Sequence, residues 1–132
     1  MKGKLFLFII ALFASVSCSK NDTSKQEVKP KKVKYEVFMS DYSEGNIVIA
    51  YASSNQDETK VYVLKEGKFS YETEVIGNFS AYIQTHIKDA NGDLVITPKI
   101  ERTMKIYLDN KVVAEKITKE TFDHLDYFVP IK

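Results

Sequence analysis

Two histidines and one cysteine are the side chains from which this chain could build a nucleophilic or metal centre. Covalent catalysis needs a nucleophile, a base and a third group that orients the base, all within hydrogen-bond reach. His86 and His124 are the bases on offer, and Cys18 stands far from both in the chain. No Gly-x-Ser-x-Gly, phosphate-binding Gly-rich loop or His-Glu-x-x-His spacing occurs. Zinc takes three or four ligands, and this set offers no recognisable ligand spacing. Asp89-Ala90-Asn91-Gly92-Asp93 places oxygens at alternate positions, as a calcium loop does. An EF-hand loop, however, has Gly in sixth place and a bidentate Glu in twelfth. Here Gly92 is fourth and Ile100 twelfth, so the segment reads as a hairpin turn in which Asn-Gly supplies positive φ. Asn21-Asp22-Thr23 and Asn78-Phe79-Ser80 match a glycosylation pattern short enough to recur by chance. The expectation is a chain with no catalytic residues, no metal and no cofactor.

Cys18 carries a different chemistry. Lys2 and Lys4 precede an unbroken apolar run over residues 5–14, and Ser15-Val16-Ser17 then brings small residues to the cysteine. That order is the one expected of a secretory leader. Ten apolar residues rise about 15 Å as a helix, against the roughly 30 Å of a bilayer core, so a permanent span is not expected. The segment resembles the lipobox of bacterial lipoproteins, in the relaxed form of the Bacteroidota, with Ser15 where an aliphatic residue usually stands. The resemblance implies cleavage before Cys18, a diacylglyceryl group on its thiol and an acylated new N-terminus. Residues 1–17 are then a signal peptide. The alternative is ordinary signal cleavage near Ser17, which leaves a free thiol.

Removal of the leader takes Lys2 and Lys4 with it and moves the formal net charge from +1 to −1. Such a balance gives no reason to expect a nucleic-acid partner. Residues 18–32 hold Val28 and Pro30 among polar side chains, too little apolar surface to fold, and read as a flexible tether. Five lysines make that tether locally basic, suited to phosphate head groups beside the anchor. Its opening Ser19-Lys20-Asn21-Asp22 resembles the charged signal that sends some lipoproteins of the Bacteroidota to the cell surface. The expected location is the outer membrane, on its periplasmic face or the cell surface.

From residue 33 the hydrophobic period becomes two, the period of half-buried strands. Val33, Tyr35, Val37 and Met39 alternate with polar residues, and 46–52 is apolar on both faces, as a central strand would be. Val61 and Val63 oppose Tyr62 and Leu64 over 59–65, and 66–68 reads as a hairpin into Phe69, Tyr71, Thr73 and Val75. Phe79, Ala81, Ile83, Thr85 and Ile87 share the next face, and a further strand begins at 94–97, with a break at Pro98. Met104, Ile106 and Leu108 run into a tight turn at Asp109-Asn110, followed by a returning strand. Residues 119–125 read as one helical turn and 127–131 as a final edge strand. Eight Tyr and eight Phe suit a β-rich chain. Seven or eight short strands at this spacing predict one domain over 33–132, an all-β antiparallel β-sandwich, with a small barrel as runner-up. Ile47, Ile49, Tyr51, Val61, Val63, Ile83 and Ile106 are the expected core.

From Tyr35 to about Ile117 the chain resembles the MmpS family of small membrane-anchored proteins. Tyr35-Glu36-Val37, Ile49-Ala50-Tyr51 and the segment from Ile106 through Asp109-Asn110 to Val113 carry that resemblance. The Leu-Pro-Trp of the family is absent, and Leu64-Lys65-Glu66 stands in its place. The resemblance implies an immunoglobulin-like sandwich and a partnership with an envelope transporter. Phe122, Leu125, Tyr127 and Phe128 form an aromatic-rich cluster that closes one end of the core or offers a patch to a protein or lipid. The function expected from these features is a lipid-anchored binding or accessory module. The alternative is a carrier of a small apolar or lipid ligand.

Overall fold

Every second side chain of 33–39 enters the core, the first of eight strands in a computed structural model, which describes residues 27–39, 46–54, 59–64, 67–96 and 100–130. The strands are β1 (Lys31–Met39), β2 (Asn46–Ala52), β3 (Thr59–Leu64), β4 (Lys68–Val75), β5 (Phe79–Lys88), β6 (Arg102–Leu108), β7 (Lys111–Thr118) and β8 (Phe122–Val129). All pair antiparallel, in two four-stranded sheets of order β4-β1-β6-β7 and β3-β2-β5-β8. The architecture is a β-sandwich, as the alternation predicts. No helix occurs among the described residues.

The central strands β1 and β6 of one sheet face β2 and β5 of the other. Val33, Tyr35, Val37, Ile47, Ile49, Ile83, Ile87, Met104 and Ile106 are completely buried between them. Each such aliphatic side chain contributes about 1.5–3 kcal/mol by leaving water. Tyr51 packs its ring 4.6 Å from Tyr71, 5.2 Å from Phe69 and 5.9 Å from Tyr35, which fills one side of the core with aromatics.

Two turns follow their local chemistry. Asp109 and Asn110 take φ of 48° and 67°, which short polar side chains tolerate, and close the β6–β7 hairpin. Asp89 caps the turn after β5, its Oδ1 accepting from the amides of Asn91 (2.8 Å) and Asp93 (3.0 Å), with Gly92 at φ 87°. One of the oxygens that suggested a calcium loop, Asp89 Oδ1, is therefore engaged in holding a turn.

Several expectations are corrected. Val61 and Val63 are 67% and 40% exposed. The register Ile47↔Leu64 and Ile49↔Tyr62 turns the other face of β3 inward, and β3 is an edge strand. The turn at 66–68 is not a hairpin, because β3 and β4 belong to different sheets; Gly67 instead accepts a bond from the Met39 amide at 3.1 Å. In place of the strand expected at 94–97, the described residues 94–96 make a Lys88↔Leu94 bridge, a bond from the Val95 amide to the Ile87 carbonyl and bonds from Thr121 Oγ1 to the Val95 and Ile96 carbonyls; residue 97 lies outside the described residues. The helical turn at 119–125 gives way to β8, which pairs with β5 from His86↔Phe122 to Phe79↔Val129. β1 starts at Lys31, ahead of the expected boundary at 33. Lys31 Nζ donates to the Pro130 carbonyl at 2.7 Å, and the Lys32 amide donates to Asp109 Oδ1 at 3.0 Å. Cys18, the leader, most of the tether, the turn at 41–45 and Pro98 lie outside the described residues.

Candidate functional site

Alternation and register together decide what each sheet shows to solvent, and the two outer faces differ in kind. On the β4-β1-β6-β7 sheet the middle of the outer face is charged and mutually paired, with Phe38, Val112 and Ile117 exposed beside it. Glu36 Oε1 lies 3.1 Å from Lys34 Nζ and 3.3 Å from Lys68 Nζ, and its Oε2 accepts from the Tyr107 hydroxyl at 2.7 Å. Lys34 Nζ also sits 4.1 Å over the Tyr107 ring. Partial burial works against the Glu36 carboxylate, but the bonds from Tyr107, Lys34 and Lys68 outweigh it and hold the carboxyl below its ordinary range. The same bond to Glu36, with burial, pushes Tyr107 up to about 12. Lys105 pairs with Glu115 at 3.1 Å, and a groove of about 450 Å³ runs between these groups and Phe38.

The outer face of β3-β2-β5-β8 is organised otherwise. Cross-strand register aligns Val63, Val48, His86 and Phe122 in one row, and Val61, Ala50, Gln84 and His124 in the next. None of these eight side chains is an acid, lysine or arginine. Phe122 is 53% exposed and its ring stacks on His86, with centroids 6.5 Å apart. Burial, and then Lys88, keep the His86 pKa below its ordinary value, so this ring is neutral at physiological pH. Phe128, opposite Ser80, and Leu94, across the adjoining turn, are exposed as well. An open groove of about 570 Å³ borders the face between His86, Phe122 and the 92–94 turn. Apolar contact with neutral hydrogen-bonding groups is the chemistry of these two rows, and the groove beside them adds Lys88 and Asp93 at its rim.

The aromatic cluster noted in the sequence is divided by the period of β8. Phe122 and Phe128 point outward onto this face, whereas Leu125 and Tyr127 are partly buried and pack against the core. The four do not form one patch. His86 and His124 occupy neighbouring strands, and His124 lies within β8, 3.9 Å from Asp126 Oδ1. Among the described residues no group of three or more His, Cys, Asp or Glu side chains could hold a metal ion, and no helix is long and apolar enough to cross a membrane.

One unusual residue is missed by the sequence reading. Arg102 is fully buried between the sheets. Its Nε donates to Thr85 Oγ1 at 3.0 Å and its Nη2 to the Glu120 carbonyl at 2.5 Å, while Nη1 is buried with no partner among the described residues. Burial lowers its pKa, and Asp123 and Glu120 oppose that only in part. Asp123 itself is engaged by Lys116 Nζ at 2.5 Å and by the His124 amide at 2.8 Å. The signal was available: Arg102 sits two and four places before Met104 and Ile106, on the inward phase of β6.

In comparison with known proteins, no family model and no curated protein matches the chain.

Proposed function

We propose that this chain is a non-catalytic binding or accessory module of the cell envelope. A lipid on Cys18 and the tether hold it to the membrane, and the outer face of the β3-β2-β5-β8 sheet receives a protein partner. The observation that carries this reading is the unequal charging of the two outer faces. A solvated antiparallel sheet normally turns polar side chains outward. Contiguous exposed apolar surface lacking charge at its centre is the composition of interaction sites. The resemblance of Tyr35-Glu36-Val37, Ile49-Ala50-Tyr51 and the β6–β7 hairpin to the MmpS family suggests an immunoglobulin-like, MmpS-like domain and an envelope transporter as the partner; the structure contributes to this only that these residues lie on strands of a β-sandwich. Surface binding is favoured over a carried ligand because large side chains fill the space between the sheets among the described residues.

The test is cross-linking and co-purification of the full chain from its own host. The unsubstituted chain should enrich one envelope protein, and Phe122→Asp or Val63→Asp should lose it while still fractionating with membranes. A chain that enriches no partner, or variants that retain the same one, would overturn the reading.

A further inference from the structure

A sheet edge is a row of unpaired amide and carbonyl groups, and natural proteins guard it with charge, bulges or proline. Three of the four edge strands here are guarded. β4 carries Lys68, Glu72 and Glu74. β7 carries Lys111, Glu115 and Lys116, and its pairing with β6 is irregular at Ile106/Tyr107, where a bulge twists the edge. β8 carries Asp123, His124 and Asp126. β3 is the least defended of the four. Its sequence, Thr-Lys-Val-Tyr-Val-Leu, has one charge, no proline and no bulge, and all but Leu64 are exposed.

We propose that β3 pairs antiparallel with β3 of a second copy, which joins two β3-β2-β5-β8 sheets into one continuous sheet. The sequence of β3 argues for itself as the partner. A two-fold axis normal to the sheet passes between identical residues of the two strands and keeps the outer faces on the same side. With the axis at Tyr62, Val61 stands opposite the partner's Val63, and Lys60 opposite the partner's Leu64. With the axis at Val61, Lys60 stands opposite the partner's Tyr62. Neither register sets lysine against lysine, and each matches β-branched or aromatic side chains across the seam, the pairs that stabilise a sheet. Both prolong the row of Val63, Val48, His86 and Phe122 into a second copy, so the uncharged face doubles without a charge at its centre. A six-residue edge is short beside the roughly 1,200 Å² of a stable interface. The dimer is therefore reversible, and is favoured where the chains are held at high local concentration.

The test uses the full chain in its own membranes and a short bis-maleimide. Val61→Cys places a thiol at a site 67% exposed, where folding does not depend on the side chain. The unsubstituted chain, with Cys18 alone, sets the background. Val112→Cys and Phe128→Cys place thiols on the guarded edges β7 and β8. The expected result is a cross-linked species of twice the chain mass from Val61→Cys only, lost when Val63→Lys is added to the same chain. No dimer, equal dimer from all three positions, or an adduct with a different protein in place of the dimer would each overturn the proposal, the last by naming another strand donor.

Discussion

Arg102 keeps a positive charge away from water, with no carboxylate in ion-pair distance among the described residues. A buried ion without a well-formed partner is a poor contributor to stability, and an apolar side chain of similar volume often replaces it without loss. Arg102→Met should therefore stay within about 1.5 kcal/mol of the natural chain in denaturant unfolding. Arg102→Ala removes the same charge but leaves a void, and should cost about 2–5 kcal/mol. Equal losses in the two variants would show that the guanidinium bonds to Thr85 and Glu120, not volume, decide the site. Acid should act through two other side chains. Both Glu36 and Asp123 have carboxyl pKa values lowered in the folded state. The unfolded chain thus takes up these protons first. Their contribution is complete above the unfolded value, about 4, and is lost as pH falls through the lower folded values. Thermal midpoints should fall as pH drops below about 4, with a shallower fall in Glu36→Gln, which has no carboxyl to titrate at that position.

Strand existence was legible in the sequence because a period of two is local information, and the inward faces of β1, β4, β5 and β6 follow it residue by residue. Register was not. Whether Val61 or Leu64 faces the core depends on which residue of β2 lies opposite, and both faces of β3 are apolar enough to serve. The connection at 66–68 misled for the same reason: turn residues state that the chain bends, not whether it stays in its sheet. The outward face of Phe122 and Phe128 was half legible, since the cluster was visible but its division by β8 required β8 to be a strand. These differences set measurable costs. Ile49→Ala, at a buried position of a central strand, should lose about 2–5 kcal/mol. Val61→Ala, at an exposed edge, should stay within about 0.5 kcal/mol. Similar midpoints for the two in chemical denaturation would reverse the assignment of β3.

Across the whole molecule, anchor and domain are separable in the proposed reading. Several buried acyl chains hold a protein at about 0.8 kcal/mol per methylene, where one chain is marginal. The full chain should fractionate with membranes and incorporate a fatty-acid analogue, and Cys18→Ser should abolish the label and leave the precursor unprocessed. An unlabelled Cys18→Ser chain that is still processed and fractionates like the natural one would replace lipidation with ordinary secretion. The strand nearest the tether has a consequence for how the molecule comes into being. β1 lies between β4 and β6, so Lys31 waits for Val75 and Val33 waits for Leu108. A chain delivered N-terminus first, from a ribosome or through a translocation pore, presents the apolar side of β1 before either neighbour has arrived. The β2–β3 hairpin is the first pairing that can close, and β1 can enter its sheet fully only after β6 has emerged. Contacts so distant in sequence cannot form before the later strand is delivered, so the wait of β1 is set by delivery, at about 5–20 residues per second, rather than by folding. In the interval, Val33, Tyr35, Val37 and Met39 form a bare apolar strand, the kind of segment that chaperones exist to shield.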